Sequence, residues 1–186
     1  MINLYKHQAD ELEATKDMNK VAYYHDMGLG KTFTGAEKLI QLGAKVNLVI
    51  CQKSKIDDWI EHFRNNYERL NIINYTSCKK NTLETTMDFV PDFTQIIIVN
   101  YELAFRRKEL LQLKDFTLML DESSLIQNEQ AKRSKFIMRL NYKNLILLSG
   151  TPTSGKYERL WSQLHMLGWT ISKDLFWRQY VDTEII

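Results

Sequence analysis

Residues 26–32 read Asp-Met-Gly-Leu-Gly-Lys-Thr, a combination of residue types that suits phosphate binding. Gly28 and Gly30 permit backbone angles that are closed to other residues, so backbone amides can approach an anion there. The ammonium group of Lys31 could reach the β- and γ-phosphates of a nucleotide, and the hydroxyl of Thr32 could ligate magnesium. The competing interpretation is a glycine turn that opens an ordinary helix.

A pair of carboxylates, Asp121 and Glu122, directly follows the apolar run 116–120. An aspartate at the end of a strand can hold magnesium, and the next glutamate can orient and deprotonate an attacking water. A solvated turn or a helix cap is the commoner reason for such a pair. The pair therefore becomes informative only if it lies beside Lys31.

Ser149, Gly150 and Thr151 follow another apolar run, at residues 145–148. Their hydroxyls could sense a γ-phosphate and transmit its loss, although a turn with helix-capping hydroxyls has the same composition.

A third polar group lies near the N-terminus, where Tyr5, His7 and Gln8 precede a short amphipathic helix. Gln8 could hydrogen-bond the edge of an adenine while an aromatic neighbour stacks on the base.

Short apolar runs and amphipathic helical patterns alternate along the chain, which predicts an α/β fold. The predicted strands lie at 21–24, 46–50, 96–99, 116–120 and 145–148, with a weaker one at 72–75. The predicted helices are 32–42, one capped by Ser54, and 128–140. Continuous rather than alternating strands indicate a mostly parallel sheet with helices on both faces, a three-layer sandwich. Because ligands of such sheets bind outside the carboxyl ends of the strands, the polar segments should converge on one edge.

The composition is that of an ordinary globular domain, with 44% hydrophobic and 26% charged residues. The net charge of +2 is too small to indicate a nucleic-acid partner by itself. No apolar stretch has the length of a signal peptide core or a membrane span, so we expect a cytoplasmic protein that contacts no membrane.

Taken in order, the polar segments resemble those of superfamily 2 helicase-like ATPases, and more narrowly the Swi/Snf branch of double-stranded DNA translocases. The match runs from residue 5 to about residue 155. The matching segments are Tyr-Lys-His-Gln at 5–8, Asp-Met-Gly-Leu-Gly-Lys-Thr at 26–32, Leu-Val-Ile-Cys-Gln-Lys-Ser at 48–54 followed by Trp59, Val-Asn-Tyr-Glu at 99–102, Asp-Glu-Ser-Ser at 121–124, and Leu-Ser-Gly-Thr-Pro-Thr at 148–153.

The resemblance implies an ATP hydrolase that uses ATP and Mg²⁺ and moves along double-stranded DNA without separating its strands. It places a RecA-like ATP-binding lobe at 1–155 and a helical tail at 156–186 that leads to a second lobe. The catalytic residues would be Lys31, Asp121 and Glu122, with Thr32 and Asp121 at the metal. Residues 149–151 would couple hydrolysis to movement. The residues around the nucleotide would be Tyr5, His7, Gln8, Met27, Gly28, Leu29, Gly30, Lys31 and Thr32.

The same resemblance implies contacts with a DNA backbone from Lys53, Ser54, Asn100 and Tyr101, as phosphate contacts need no sequence-specific reading. Two basic clusters, 79–80 and 106–108, are further candidates. Runs of charge are more often solvated faces, and that alternative stays open for both clusters.

Three positions depart from common patterns. His25 stands where the general phosphate loop has glycine, although the Swi/Snf branch normally lacks glycine there. Gln52 replaces the proline found in many members, which could alter that loop modestly. Ser124 replaces the histidine or glutamine found in many members, so the link from the acidic pair to residues 149–151 is in question.

The family needs a second lobe with its own arginines, which we do not find after Thr153. We therefore expect the first lobe of a longer or split motor, with slow turnover by itself. An RNA-directed helicase and a nucleotide-gated binding module without hydrolysis remain as alternatives. The compact lobe favours a bacterial or phage origin.

Overall fold

Six apolar runs of the sequence form the strands of one parallel sheet. The computed structural model describes residues 4–78, 92–153 and 155–181. The strands are β1 (Lys20–Tyr24), β2 (Val46–Cys51), β3 (Leu70–Asn74), β4 (Thr94–Asn100), β5 (Thr117–Asp121) and β6 (Asn144–Ser149). Their order across the sheet is β1-β6-β5-β2-β4-β3, and every neighbouring pair is parallel. All five predicted strands and the weaker sixth are confirmed.

Helices cover both faces of this sheet. They are α1 (Lys6–Ala14), α2 (Lys31–Gln41), α3 (Ile56–Asn66), α4 (Tyr101–Ala104), α5 (Lys132–Ile137), α6 (Trp161–Leu167) and α7 (Lys173–Tyr180). Alternate residues of the central strand β2 enter two separate cores: Val49 packs with α2 and α3, whereas Leu48 packs with residues of α4, α5 and α6. The predicted three-layer α/β sandwich is therefore confirmed. No helix in the described part of the chain could cross a membrane.

Two helix predictions need correction at their N-terminal ends. Ser54 caps no helix, because it lies within a 3-10 turn, Lys53–Lys55, in which the Lys55 amide donates to the Gln52 carbonyl at 2.9 Å. The helix predicted at 128–140 is reduced to α5, since residues 128–131 form a turn closed by the Asn128 carbonyl and side chain.

The tail packs on the lobe mainly through residues of α6. In the tail, Leu160, Trp161, Leu164 and Leu167 are partly buried. The fully enclosed residues of α6 are Ser162, Gln163 and Met166. Hydrogen bonds of Gln163 to the lobe, described below, explain why a polar side chain takes an interior position.

Candidate active site

The carboxyl ends of the strands border a cleft of about 700 Å³, a volume typical of small-molecule sites. Eight of the residues predicted at the site line it: Met27, Gly28, Gly30, Lys31, Thr32, Asp121, Glu122 and Thr151. The wall is completed by Gln52, Lys55, Asp58, Trp59 and Ser124, of which the sequence had not singled out Lys55 and Asp58. Segments separated by more than a hundred positions thus meet at one edge of the sheet.

The loop between β1 and α2 depends on its two glycines. Gly28 and Gly30 have φ angles of 86° and 74°, in the left-handed region that disfavours residues with a Cβ atom. Gly30 is also the N-cap of α2, and a Cβ atom there would collide with the side-chain amide of Gln8. The loop therefore presents the start of α2, with its partial positive charge, to the cleft.

Lys31 lies on the cleft side of this loop, where its Nζ donates to the carbonyls of His25 at 3.0 Å and Asp26 at 3.2 Å. Gly150 borders the same ammonium group, because a Cβ atom built on Gly150 would lie 3.4 Å from Nζ. His25 is buried, and its Nε2 lies 2.8 Å from Oε2 of Glu11. The side chain that replaces the expected glycine thus anchors the loop to α1.

Gln8 also supports the loop. Its Nε2 donates to the carbonyls of Leu29 and Gly30, at 3.2 Å each, and its Oε1 accepts the Tyr5 amide at 2.9 Å. Both amide hydrogens are thereby used, so reading of an adenine edge by Gln8 requires a rearrangement and stays a prediction. Tyr5 is 71% exposed and stacks on His7 at 5.9 Å, which leaves an aromatic surface beside the loop.

Asp121 is held in place by a residue of α3. The indole Nε1 of Trp59, itself buried, donates to Oδ2 of Asp121 at 2.9 Å. Burial raises the pKa of Asp121 above its ordinary value, although the Trp59 hydrogen bond and the charges of Lys55 and Lys31 oppose that rise. Ionised Asp121 is therefore a destabilising charge in the folded chain.

This raised pKa predicts that Asp121→Asn stabilises the protein at neutral pH. The folded state binds the proton of Asp121 more tightly than the unfolded state does. The free energy of unfolding of the wild type therefore falls as pH rises from the ordinary value of 3.8 through the folded pKa. We expect the variant to have a higher free energy of unfolding at pH 7, with the difference shrinking on acidification. Denaturant unfolding at several pH values measures this, with exposed Asp92→Asn as the matched control. A less stable Asp121→Asn at pH 7 would contradict it.

Glu122 adopts a strained backbone conformation, with φ of 57°, which costs about 1 kcal/mol for a residue other than glycine. The buried Tyr101 stabilises this turn, because its hydroxyl donates to the carbonyls of Asp121 at 2.9 Å and Glu122 at 3.4 Å. Burial raises the pKa of Tyr101, so the hydroxyl remains a donor. Glu122 lines the cleft together with Lys31 and Thr32.

The residues predicted to contact DNA divide into two groups. Lys53 and Ser54 are exposed, directly after β2. Tyr101 has no exposed surface, and Asn100 is only 6% exposed, with its side chain bonded to Glu102 and Thr76. These two side chains support the acidic turn and the end of β4, and neither presents a surface to a DNA backbone.

The basic cluster at 106–108 contains both buried and exposed side chains. Arg107 is buried, where it donates to the Cys78 carbonyl and lies over the ring of Tyr75 at 4.9 Å. Arg106 and Lys108 are exposed. Residues 79–80 lie outside the described part of the chain.

Comparison with known proteins places these features in a family. A family model described as the SNF2-related domain matches residues 13–185. The ISWI chromatin-remodeling complex ATPase ISW2 of Saccharomyces cerevisiae is 28% identical over 149 residues, which cover 76% of this chain and 13% of that protein. The chromatin-remodeling ATPase INO80 of Cryptococcus neoformans is 30% identical over 156 residues, covering 76% of this chain and 9% of the relative.

Solved structures agree in fold. The SWI2/SNF2 ATPase core of Sulfolobus solfataricus in complex with dsDNA superposes with a TM-score of 0.79 at 24% identity, covering 97% of this chain and 39% of that one. The core domain of the same organism gives a TM-score of 0.75 at 27% identity, covering 96% and 38%. The chain thus spans about a tenth of the curated relatives and about two fifths of the solved cores.

Proposed function

The chain belongs to the SNF2-related domain family, and on that premise we propose that it is the RecA-like ATP-binding lobe of an ATP-dependent double-stranded DNA translocase. The observation that carries the proposal is the convergence of Lys31 and Thr32 with Asp121 and Glu122 on one cleft. A cation at a helix start and an acidic pair at a strand end are the two halves of a phosphoryl-transfer site.

The residues of the cleft fit ATP and magnesium. The two left-handed glycines bring the backbone to the cleft, and Gly150 leaves Lys31 room that a larger side chain would take. No group of three or more His, Cys, Asp or Glu residues suited to a metal ion occurs in the described part of the chain. Magnesium usually binds through one or two carboxylates together with substrate phosphates, so Thr32 and Asp121 are a sufficient protein contribution.

Four side chains then have distinct roles. When bound, ATP supplies the phosphoanhydride bond that is broken, and Mg²⁺ neutralises the negative charge of its phosphates. Lys31 exchanges the carbonyls of its own loop for phosphate oxygens, and Thr32 and Asp121 orient the metal. Glu122 orients a water molecule and accepts its proton.

Residues 149–151 are proposed to couple hydrolysis to movement. Gly150 borders Lys31, and the Ser149 hydroxyl accepts the Thr151 amide at 3.2 Å, so the turn is ordered next to the phosphate position. A movement of Lys31 on loss of a phosphate contact would therefore change the packing of this turn.

The family supports two proposed partners. One solved relative is an ATPase core in complex with dsDNA, and we propose double-stranded DNA as the partner here, bound through its backbone by Lys53 and Ser54. We also propose a second RecA-like lobe, in a longer chain or a separate subunit, reached through the tail at 156–186. A cationic finger supplied across a cleft is worth about a thousandfold or more in rate, so this lobe alone should turn over slowly.

Lys53→Ala tests the DNA surface. Each phosphate contact contributes about 0.9 to the slope of log affinity against log salt concentration, so losing one should flatten that slope by about one unit. Binding should weaken equally for unrelated duplexes, as measured by fluorescence anisotropy. Lys143→Ala is the matched control, since this exposed lysine precedes β6 at the opposite edge of the sheet. Equal slopes for Lys53→Ala and wild type would remove Lys53 from the DNA surface.

A further inference from the structure

Gln163 on α6 has no exposed surface and contacts three separate segments that lead into the cleft. Its Oε1 accepts the Ser123 hydroxyl at 2.6 Å and the Tyr24 hydroxyl at 3.0 Å. Its Nε2 donates to the Pro152 carbonyl at 2.9 Å. The three partners belong to three segments that are far apart in the sequence.

The chemistry of the partners fixes the orientation of the amide. The Pro152 carbonyl can only accept, so it must face the NH₂ group, and the oxygen is then left to accept from the two hydroxyls. Partial burial raises the pKa of Tyr24 to about 12, which keeps its hydroxyl a donor. A side-chain amide offers an acceptor and a donor on neighbouring atoms, whereas ionised glutamate lacks the donor and leucine lacks both, so neither could replace these contacts.

Each partner is adjacent to a part of the proposed ATPase site. Ser123 directly follows Glu122, and Pro152 directly follows Thr151. Tyr24 is the last residue of β1, immediately before the segment that leads into the phosphate loop. A second amide, that of Gln127 in the segment after the acidic pair, also donates to the Pro152 carbonyl at 2.9 Å.

We propose that Gln163 is a positioning residue that couples the acidic turn to the 149–153 turn, so that a change at the phosphate position moves both together. This inference rests on the proposed ATPase function. The sequence left the link between the acidic pair and residues 149–151 in question, because Ser124 replaces the usual residue. In this proposal, Gln163 of the helical tail provides that link. If Ser123 or Pro152 moves, either its hydrogen bond to Gln163 breaks or Gln163 moves with it. Breaking the bond is costly, because a buried polar group is then left without a partner.

Two variants separate coupling from simple stability. Gln163→Leu keeps the approximate volume but leaves the buried Ser123 hydroxyl without its partner, which weakens the fold. The double variant Ser123→Ala with Gln163→Leu removes both members of that bond, so its stability should return toward wild type. The connection through Gln163 stays broken, and only the Gln127 hydrogen bond still joins the acidic segment to Pro152. Ser162→Ala is the matched control, because Ser162 is equally buried on α6 and its hydroxyl has no partner among the described residues.

The test is hydrogen–deuterium exchange of the full chain with and without ATPγS and magnesium. In wild type and Ser162→Ala we expect the nucleotide to protect three segments: the phosphate loop, residues 121–127 and residues 149–153. In the double variant, protection of the first two should persist, and that of 149–153 should fall by about tenfold in exchange rate, the effect of one hydrogen bond. Turnover should fall by a similar factor while nucleotide affinity is unchanged.

The outcomes distinguish the two claims. Equal protection of 149–153 in the double variant and wild type, with equal turnover, would overturn the role of Gln163 and leave the ATPase proposal intact. Absence of nucleotide-dependent protection at the phosphate loop in wild type would instead overturn the proposed function.

Discussion

Lys31→Ala is expected to lower ATP turnover by at least about a hundredfold, the usual effect of removing one group that stabilises transition-state charge. The variant should also bind nucleotide more weakly, since Lys31 lines the same cleft as Asp121 and Glu122. Single-turnover hydrolysis and titration with a fluorescent ATP analogue measure the two effects.

The control for this substitution is Lys16→Ala. Lys16 pairs with Glu13 at 2.6 Å on the surface, and it does not line the cleft. It should match wild type in both assays. If Lys31→Ala bound and hydrolysed ATP as well as Lys16→Ala does, the phosphate loop would be an ordinary turn.

Glu122→Gln is expected to separate binding from chemistry. The amide has the size of the carboxylate but cannot accept a proton from water, so turnover should fall by about a hundredfold or more. Nucleotide affinity should change little, because Lys31 and the glycine loop are untouched. Asp121 also remains to orient the metal.

The result decides between an enzyme and a nucleotide-gated binding module. An enzyme loses turnover and retains nucleotide, whereas a module that never uses the carboxylate as a base is indifferent to the change. Glu61→Gln, an exposed position on α3 outside the cleft, is the matched control. Equal behaviour of Glu61→Gln and Glu122→Gln would favour the module.

The sheet and the main site were predictable because their signals are local. Buried parallel strands are continuous apolar runs, and both Lys31 and Asp121 stand directly beside such runs. The rule that ligands bind at the carboxyl ends of strands then brings them to one cleft without any tertiary information.

Side chains whose roles depend on tertiary contacts were not predictable. Tyr101 and Arg107 look like surface residues in the sequence, but the acidic turn and the Cys78 carbonyl give each of them a buried partner. Trp59 was identified only as part of a family segment, and the sequence did not indicate that its indole N–H holds Asp121. Gln163 interrupts an apolar helix pattern, and only the approach of three distant segments gives its amide a function.

The most direct test of the account is ATP hydrolysis by the full chain, with and without double-stranded DNA, with Lys31→Ala as the blank. We predict slow turnover that clearly exceeds the blank and rises when a second lobe is supplied. Fast, DNA-stimulated turnover by the chain alone would contradict the proposed need for that lobe. Turnover and nucleotide binding indistinguishable from Lys31→Ala would contradict the central claim that this cleft is an ATPase site.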